Sequence, residues 1–123
     1  MRKQYHFWRN DEGLDAWDVN RLIELTKNMP VTTVRLDELT EIDSNYWELD
    51  ATTTVRAVAE HLALVRDADT SYPIILARNG RIMDGMHRVV QVLLNGGETI
   101  EAVRFEVNPP PDFKNCSPKD LAY

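Results

Sequence analysis

Cysteine is almost missing from this chain of 123 residues: Cys116 stands alone, so neither an intramolecular disulfide nor a cysteine-based zinc centre can be built. No run of Lys and Arg occurs either. The 14 basic residues are dispersed and face 20 acidic ones, a formal net charge of −6. A chain of that sign repels nucleic acid, and direct sequence-specific DNA binding is not expected. Apolar runs such as PIILA fall far short of a membrane span, so no membrane association is expected. The N-terminal MRKQYHFWRNDEG contains no apolar h-region and does not read as a secretory signal. Internal repeats and low-complexity tracts are absent. These absences lead to the expectation of a soluble cytoplasmic protein. The length suits one domain with one core, and the oligomeric state stays open.

What is present divides into three stretches: an N-terminal arm and helix over 1–30, a core over 31–107 and a proline-rich C-terminal tail over 108–123. Residues 1–13 mix aromatics with charges without a period and read as an arm or loop. The segment DAWDVNRLIELTKNMP places Val19, Leu22, Ile23 and Thr26 at helical spacing, with Asp15 as cap, Asp18 in the first turn and Asn28 and Pro30 as the stop. VTTVRLDEL reads as a short strand, and TEIDSNYWELDA as a loop anchored by Tyr46 and Trp47. A second helix follows, capped by Thr52, Thr53 or Thr54. Its apolar stripe is Val55, Val58, Ala59, Leu62 and Val65, with His61 at the edge. YPIILA has the continuous apolar character of a strand buried on both faces. Asn79-Gly80 suits a two-residue type I′ turn, which leads into the strand RIMD. VVQVLLNGG is a helix with a glycine stop. TIEAVRFEV is a last strand whose phase slips near Ala102, as at a bulge. The tail NPPPDFKNCSPKDLAY is expected to be loose or packed on a neighbour.

The segment that carries chemistry is Asp84-Gly85-Met86-His87-Arg88. A strand delivers the chain to Gly85 and a helix starts at once. Backbone N–H groups at a helix start lack internal partners, and the dipole makes that end partly positive. A glycine lets an anion approach the backbone. Arg88 offers a fork of donors to phosphate, and His87 can donate or accept a proton near neutral pH. Asp84 could hold magnesium on such a phosphate, orient His87 or accept a proton. Each residue also has a plain structural use. Asp84 can cap the helix, Gly85 can merely turn the chain, and Arg88 can pair with an acid. His61 can be a partly buried structural histidine, Asp67 and Asp69 solvated acids at a helix end. Trp8, Trp17 and Trp47 read as packing residues.

The segment IILARNGRIMDGMHRVVQVLLNGGETIEAVRF resembles the core of the ParB/sulfiredoxin superfamily. There a strand pair of the form nGrimDG leads into Gly-x-His-Arg or Gly-x-Arg-Arg at a helix start, followed by a glycine and an I-x-A strand. The likeness extends loosely from Val31 to Val107. It implies an α/β fold, a small mixed β-sheet flanked by helices, that binds a nucleotide triphosphate. By that resemblance Gly85, Met86, His87 and Arg88 would contact phosphate, and Thr54, Arg56 and His61 would contact nucleotide from the upstream helix. Asp84 and His87 would be the catalytic candidates, with Asp84 as ligand of magnesium carried by ATP or CTP. The departures matter. Met86 stands where sulfiredoxins carry their cysteine, so cysteine-sulfinate reduction is not expected. No helix-turn-helix region follows Val107. One branch of the superfamily phosphorylates serine with an acidic residue, for which Asp84, Asp67 and Asp69 are all candidates. A nuclease would need several convergent carboxylates. Two readings stay open. One is a nucleotide- or phosphate-binding domain, with magnesium-assisted phosphoryl transfer to a small molecule. The other is a non-catalytic ParB-like regulatory module, linked to DNA partitioning through a partner.

Overall fold

The computed structural model describes residues 4–10, 12–47, 52–117 and 121 and arranges them as a mixed α/β structure. In chain order the elements are β1 (Tyr5–Asn10), β2 (Gly13–Asp18), α1 (Val19–Thr26), β3 (Thr32–Arg35), α2 (Val55–Asp67), β4 (Ile74–Leu76), β5 (Ile82–Asp84), α3 (Met86–Leu94), β6 (Thr99–Arg104) and β7 (Phe113–Cys116). Two short 3-10 turns, Leu36–Glu38 and Thr40–Asp43, follow β3. One sheet has the order β3-β6-β4-β5; a second has the order β1-β2-β7.

The continuous apolar run explains the first sheet. Strand β4 lies between β6, to which it is parallel, and β5, to which it is antiparallel. Successive side chains on a strand point to opposite faces. Ile74 and Leu76 therefore join Leu36, Leu39, Ile82, Met86, Val89 and Ile100 on one side, while Ile75 and Ala77 join Trp17, Leu22, Met83, Val103 and Phe105 on the other. Both faces are covered, which is why no polar alternation marks this strand. Each fully buried aliphatic side chain of this kind contributes roughly 1.5–3 kcal/mol.

The same two-sided burial corrects the reading of β6. Ala102 and Val103 are both buried, but the pairing runs without interruption from Thr32↔Ala102 to Arg35↔Thr99 on one edge and Ile74↔Ala102 to Leu76↔Arg104 on the other. The slip in polarity marks a strand covered on both faces and not a bulge. The turn at Asn79-Gly80 also differs from a two-residue type I′ loop. Gly80 has φ +87°, but Asn79 is not among the residues of positive φ. Ala77 N–H donates to Arg81 O at 2.8 Å, Gly80 N–H donates to Ala77 O at 2.9 Å, and Asn79 Oδ1 accepts from Arg81 N. The loop is one residue longer, with only its last position left-handed.

The N-terminal residues are a hairpin and not an arm. Strand β1 pairs with β2 from Tyr5↔Asp18 to Asn10↔Gly13. Asp15 sits in β2 and accepts from Asn10 Nδ2 at 2.9 Å, so the cap of α1 is Asp18, which accepts from Asn20 N at 2.9 Å. The tail packs on this same hairpin through β7. Trp17 Nε1 donates to Pro109 O at 2.9 Å, and Asp112 accepts from Asp18 N at 2.8 Å and pairs with Arg21 at 3.1 Å. Helix α2 begins after Thr54, whose hydroxyl accepts from Ala57 N at 3.1 Å, but it does not bury the expected stripe. Val55, Val58 and Leu62 are exposed and only Val65 of that set is buried; the covered side runs through Ala57, His61, Val65 and Ala68. Gln91 of α3 fastens it, donating to Val65 O and Ala68 O at 2.9 Å each.

Candidate functional site at the start of helix α3

Strand β5 ends at Asp84 in the first sheet, and α3 starts two residues later. Between them Gly85 has φ +108°. A Cβ there would lie 2.6 Å from Ile74 Cγ2 and 2.9 Å from Arg88 Nη2, so both backbone conformation and space require glycine. Arg88 N and Val89 N donate to Gly85 O at 3.0 and 3.1 Å. The amides of Met86 and His87 come before these first intrahelical donors. Asp18 caps α1 and Thr54 caps α2, whereas among the described residues no side chain caps α3.

Arg88 turns inward. Its Nη2 meets Asp84 Oδ2 at 2.7 Å, and its Nη1 donates to Tyr72 O at 3.2 Å and Pro73 O at 3.1 Å. The two charged side chains are only 15% and 17% exposed. The guanidinium thus ties the end of β5 and the first turn of α3 to the chain that leads into β4. This is a different placement from the phosphate-facing fork read from the sequence. Met86 is buried in the core with 6% exposure, so its side chain is not available to a ligand. Asp84 offers a metal one carboxylate already shared with Arg88, and among the described residues no three His, Cys, Asp or Glu side chains converge on one point.

His87 faces a different cluster. Its Nε2 lies 2.9 Å from His61 Nδ1, so the two helices α2 and α3 meet through an imidazole pair. Trp47 stacks on His87 with ring centroids 4.8 Å apart and an interplanar angle of 22°, and lies 4.6 Å from the His61 ring. Burial, and then His61, hold His87 below the ordinary histidine range. Tyr46 packs edge-on against Trp47 and its hydroxyl donates to Ile82 O at 2.9 Å. Burial pushes that phenol well above its usual range, with Glu41 and Asp84 adding to the shift. Glu41 in turn accepts from Ile82 N, so the loop carrying Trp47 is pinned to β5.

Two clefts meet here. One of about 800 Å³ is lined by Tyr5, His6, Trp8, Tyr46, Trp47 and Arg81 among others. The second, of about 940 Å³, is more apolar, with Ile23, Met29, Val31, Leu64 and Pro73 in its wall. Asp84, Gly85 and His87 border both. In the first cleft Arg81 stacks over Trp8 at 4.5 Å, and His6, partly buried beside Trp17, has its pKa lowered to about 4 by burial and then by Arg81.

Of the residues singled out in the sequence, the structure brings together Asp84, Gly85, Met86, His87, Arg88 and His61. Thr54 and Arg56 border neither cleft, and Thr54 is occupied as a cap. Asp67 and Asp69 reach the rim of the second cleft, where Arg66 pairs with the former and Ser71 donates to the latter. Trp47, read from the sequence as a packing residue, does pack, but on two histidines. Its place depends on a loop held by contacts with β5, for which no local pattern exists.

The fold and site define a small two-sheet α/β protein with an uncapped helix start at the junction of two clefts. No protein-family model, no curated protein and no solved structure matches the chain. No helix among the described residues is long and apolar enough to cross a membrane.

Proposed function

We propose that this protein binds a phosphate-bearing small molecule, a nucleotide in the first instance, with the phosphate at the start of α3. The observation that carries the reading is the uncapped first turn of α3 at Gly85, bordering two clefts large enough for a nucleotide. The amides of Met86 and His87 would donate to phosphate oxygens, and His87 would add a side-chain donor. Trp47 and Tyr46 give the first cleft aromatic surface against which a base can lie. Arg88 acts here by holding Asp84 and the turn, a positioning role and not a direct contact. The Asp-Gly-x-His-Arg pattern and its resemblance to the ParB/sulfiredoxin superfamily point the same way.

Magnesium would arrive with a nucleotide and find one protein carboxylate, Asp84, with its remaining ligands from phosphate and water. The commitment of Asp84 to Arg88 favours binding without transfer, the regulatory form of the reading. Calorimetric titration with ATP, CTP and inorganic phosphate, with and without magnesium, tests it. Wild type is expected to bind at least one, and His87→Ala to weaken that binding about tenfold or more. Wild type that binds none of them at millimolar concentration would end the proposal.

A further inference from the structure

Two helices each bring one imidazole to the same point. His61 Nδ1 and His87 Nε2 lie 2.9 Å apart, so a single proton sits between them and their nitrogens face one another. Both rings are oriented by the indole of Trp47, at 4.6 and 4.8 Å, and α2 is fixed against α3 by the bonds of Gln91 to Val65 O and Ala68 O. The pair is held by regular elements and not by loops, so a ligand bound between the rings need not order a segment.

We propose that His61 and His87 form a two-imidazole site for a transition-metal dication of the zinc class. Imidazole nitrogen is a donor that such ions favour. Two nitrogens at about 2.0–2.1 Å from a tetrahedral zinc stand about 3.3–3.4 Å apart. The observed pair would therefore open by roughly 0.4–0.5 Å, and each ring would turn so that its lone pair points at the metal and no longer at the other nitrogen. The proton now between the rings moves through solvent to an outer ring nitrogen, and both imidazoles stay neutral. The positive end of α3 opposes a cation. Glu41 and Asp84 line the cleft that His87 borders, but Arg81 and Arg88 pair with them, so only the net charge of −6 stands against it. No third His, Cys, Asp or Glu converges on the pair among the described residues; His61 lines neither cleft, so water or an external donor would reach the metal from the side of His87, which borders both.

The test uses zinc chloride alone, in a buffer without phosphate, titrated calorimetrically into the full chain. One site per chain with affinity tighter than millimolar is expected, and His61→Ala and His87→Ala should each weaken it at least tenfold. His61 is half-buried on a helix and alanine suits a helix, so that variant should fold; a melt without zinc checks this, and His61→Gln serves as a second variant. Nickel supplies an optical readout. It should quench tryptophan fluorescence in wild type, since Trp47 lies against both rings, and the quenching should be lost in His61→Ala and His87→Ala. His6→Ala should bind as wild type. Absence of sub-millimolar binding in wild type, equal binding in the His61 and His87 variants, or loss of binding in His6→Ala would overturn the site. Retained nucleotide binding in His61→Ala, with zinc binding lost, separates this inference from the phosphate reading, on which it does not depend.

Discussion

Gly85 is the residue on which the local geometry turns. Its φ of +108° lies where side chains strain the backbone, and an added Cβ would press on Ile74 Cγ2 at 2.6 Å. Gly85→Ala is therefore expected to cost about 2–4 kcal/mol, strain and overpacking together. Urea unfolding measures it, and a loss below about 0.5 kcal/mol would mean that the turn relaxes freely. Arg88 offers a second check at this scale. Removing its guanidinium leaves Asp84, 17% exposed, without its cation and two backbone carbonyls without their donor. Arg88→Ala should destabilise by about 2–3 kcal/mol, and Arg88→Lys should recover only part, since an ammonium cannot span all three acceptors. The Gly85 turn and the helix start were legible in the sequence because both are local. The partners of Arg88 were not, because Tyr72 and Pro73 reach it only through the fold.

Elements were legible where burial is uniform or capping is local. β4 was read correctly from four consecutive apolar residues, and the start of α2 from a threonine cap, left among Thr52, Thr53 and Thr54 and found at Thr54. Which side of α2 faces inward was not, because that depends on where α3 docks. The larger residues Val55, Val58 and Leu62 point to solvent, and small residues with His61 line the contact. Leu62→Ala, at a position 58% exposed, should change stability by no more than about 0.5 kcal/mol, whereas Val65→Ala at the buried position should cost about 1–2.5 kcal/mol. Equal costs in urea unfolding would mean that α2 is turned the other way in solution. The hairpin β1–β2 escaped the sequence reading for a related reason. Its inward and outward residues are both aromatic, and its third strand, β7, comes from the far end of the chain.

At the scale of the molecule, two histidines link folding to pH. The folded pKa of His6 is lowered to about 4, and that of His87 is lowered as well. A histidine whose folded pKa lies below its unfolded value stabilises the protein fully above the unfolded value. That stability is lost as pH falls toward the folded one. Stability should therefore decline from about pH 6.5 downward, and His6 alone should account for about 2–3 kcal/mol by pH 4 once its partial exposure is discounted. Urea midpoints of wild type and His6→Gln at pH 7 and 4.5 measure this. The variant should show a visibly smaller fall, and identical falls would mean that His6 is not buried in solution.

The phosphate site is the central claim, and it concerns the backbone amides of Met86 and His87 beside Gly85. Amide NMR of the chain during titration with ATP or inorganic phosphate observes them directly. The account predicts saturable shifts, largest at Gly85, Met86 and His87, that fade in His87→Ala. Saturable shifts confined to other parts of the chain, or none at millimolar ligand, would contradict it.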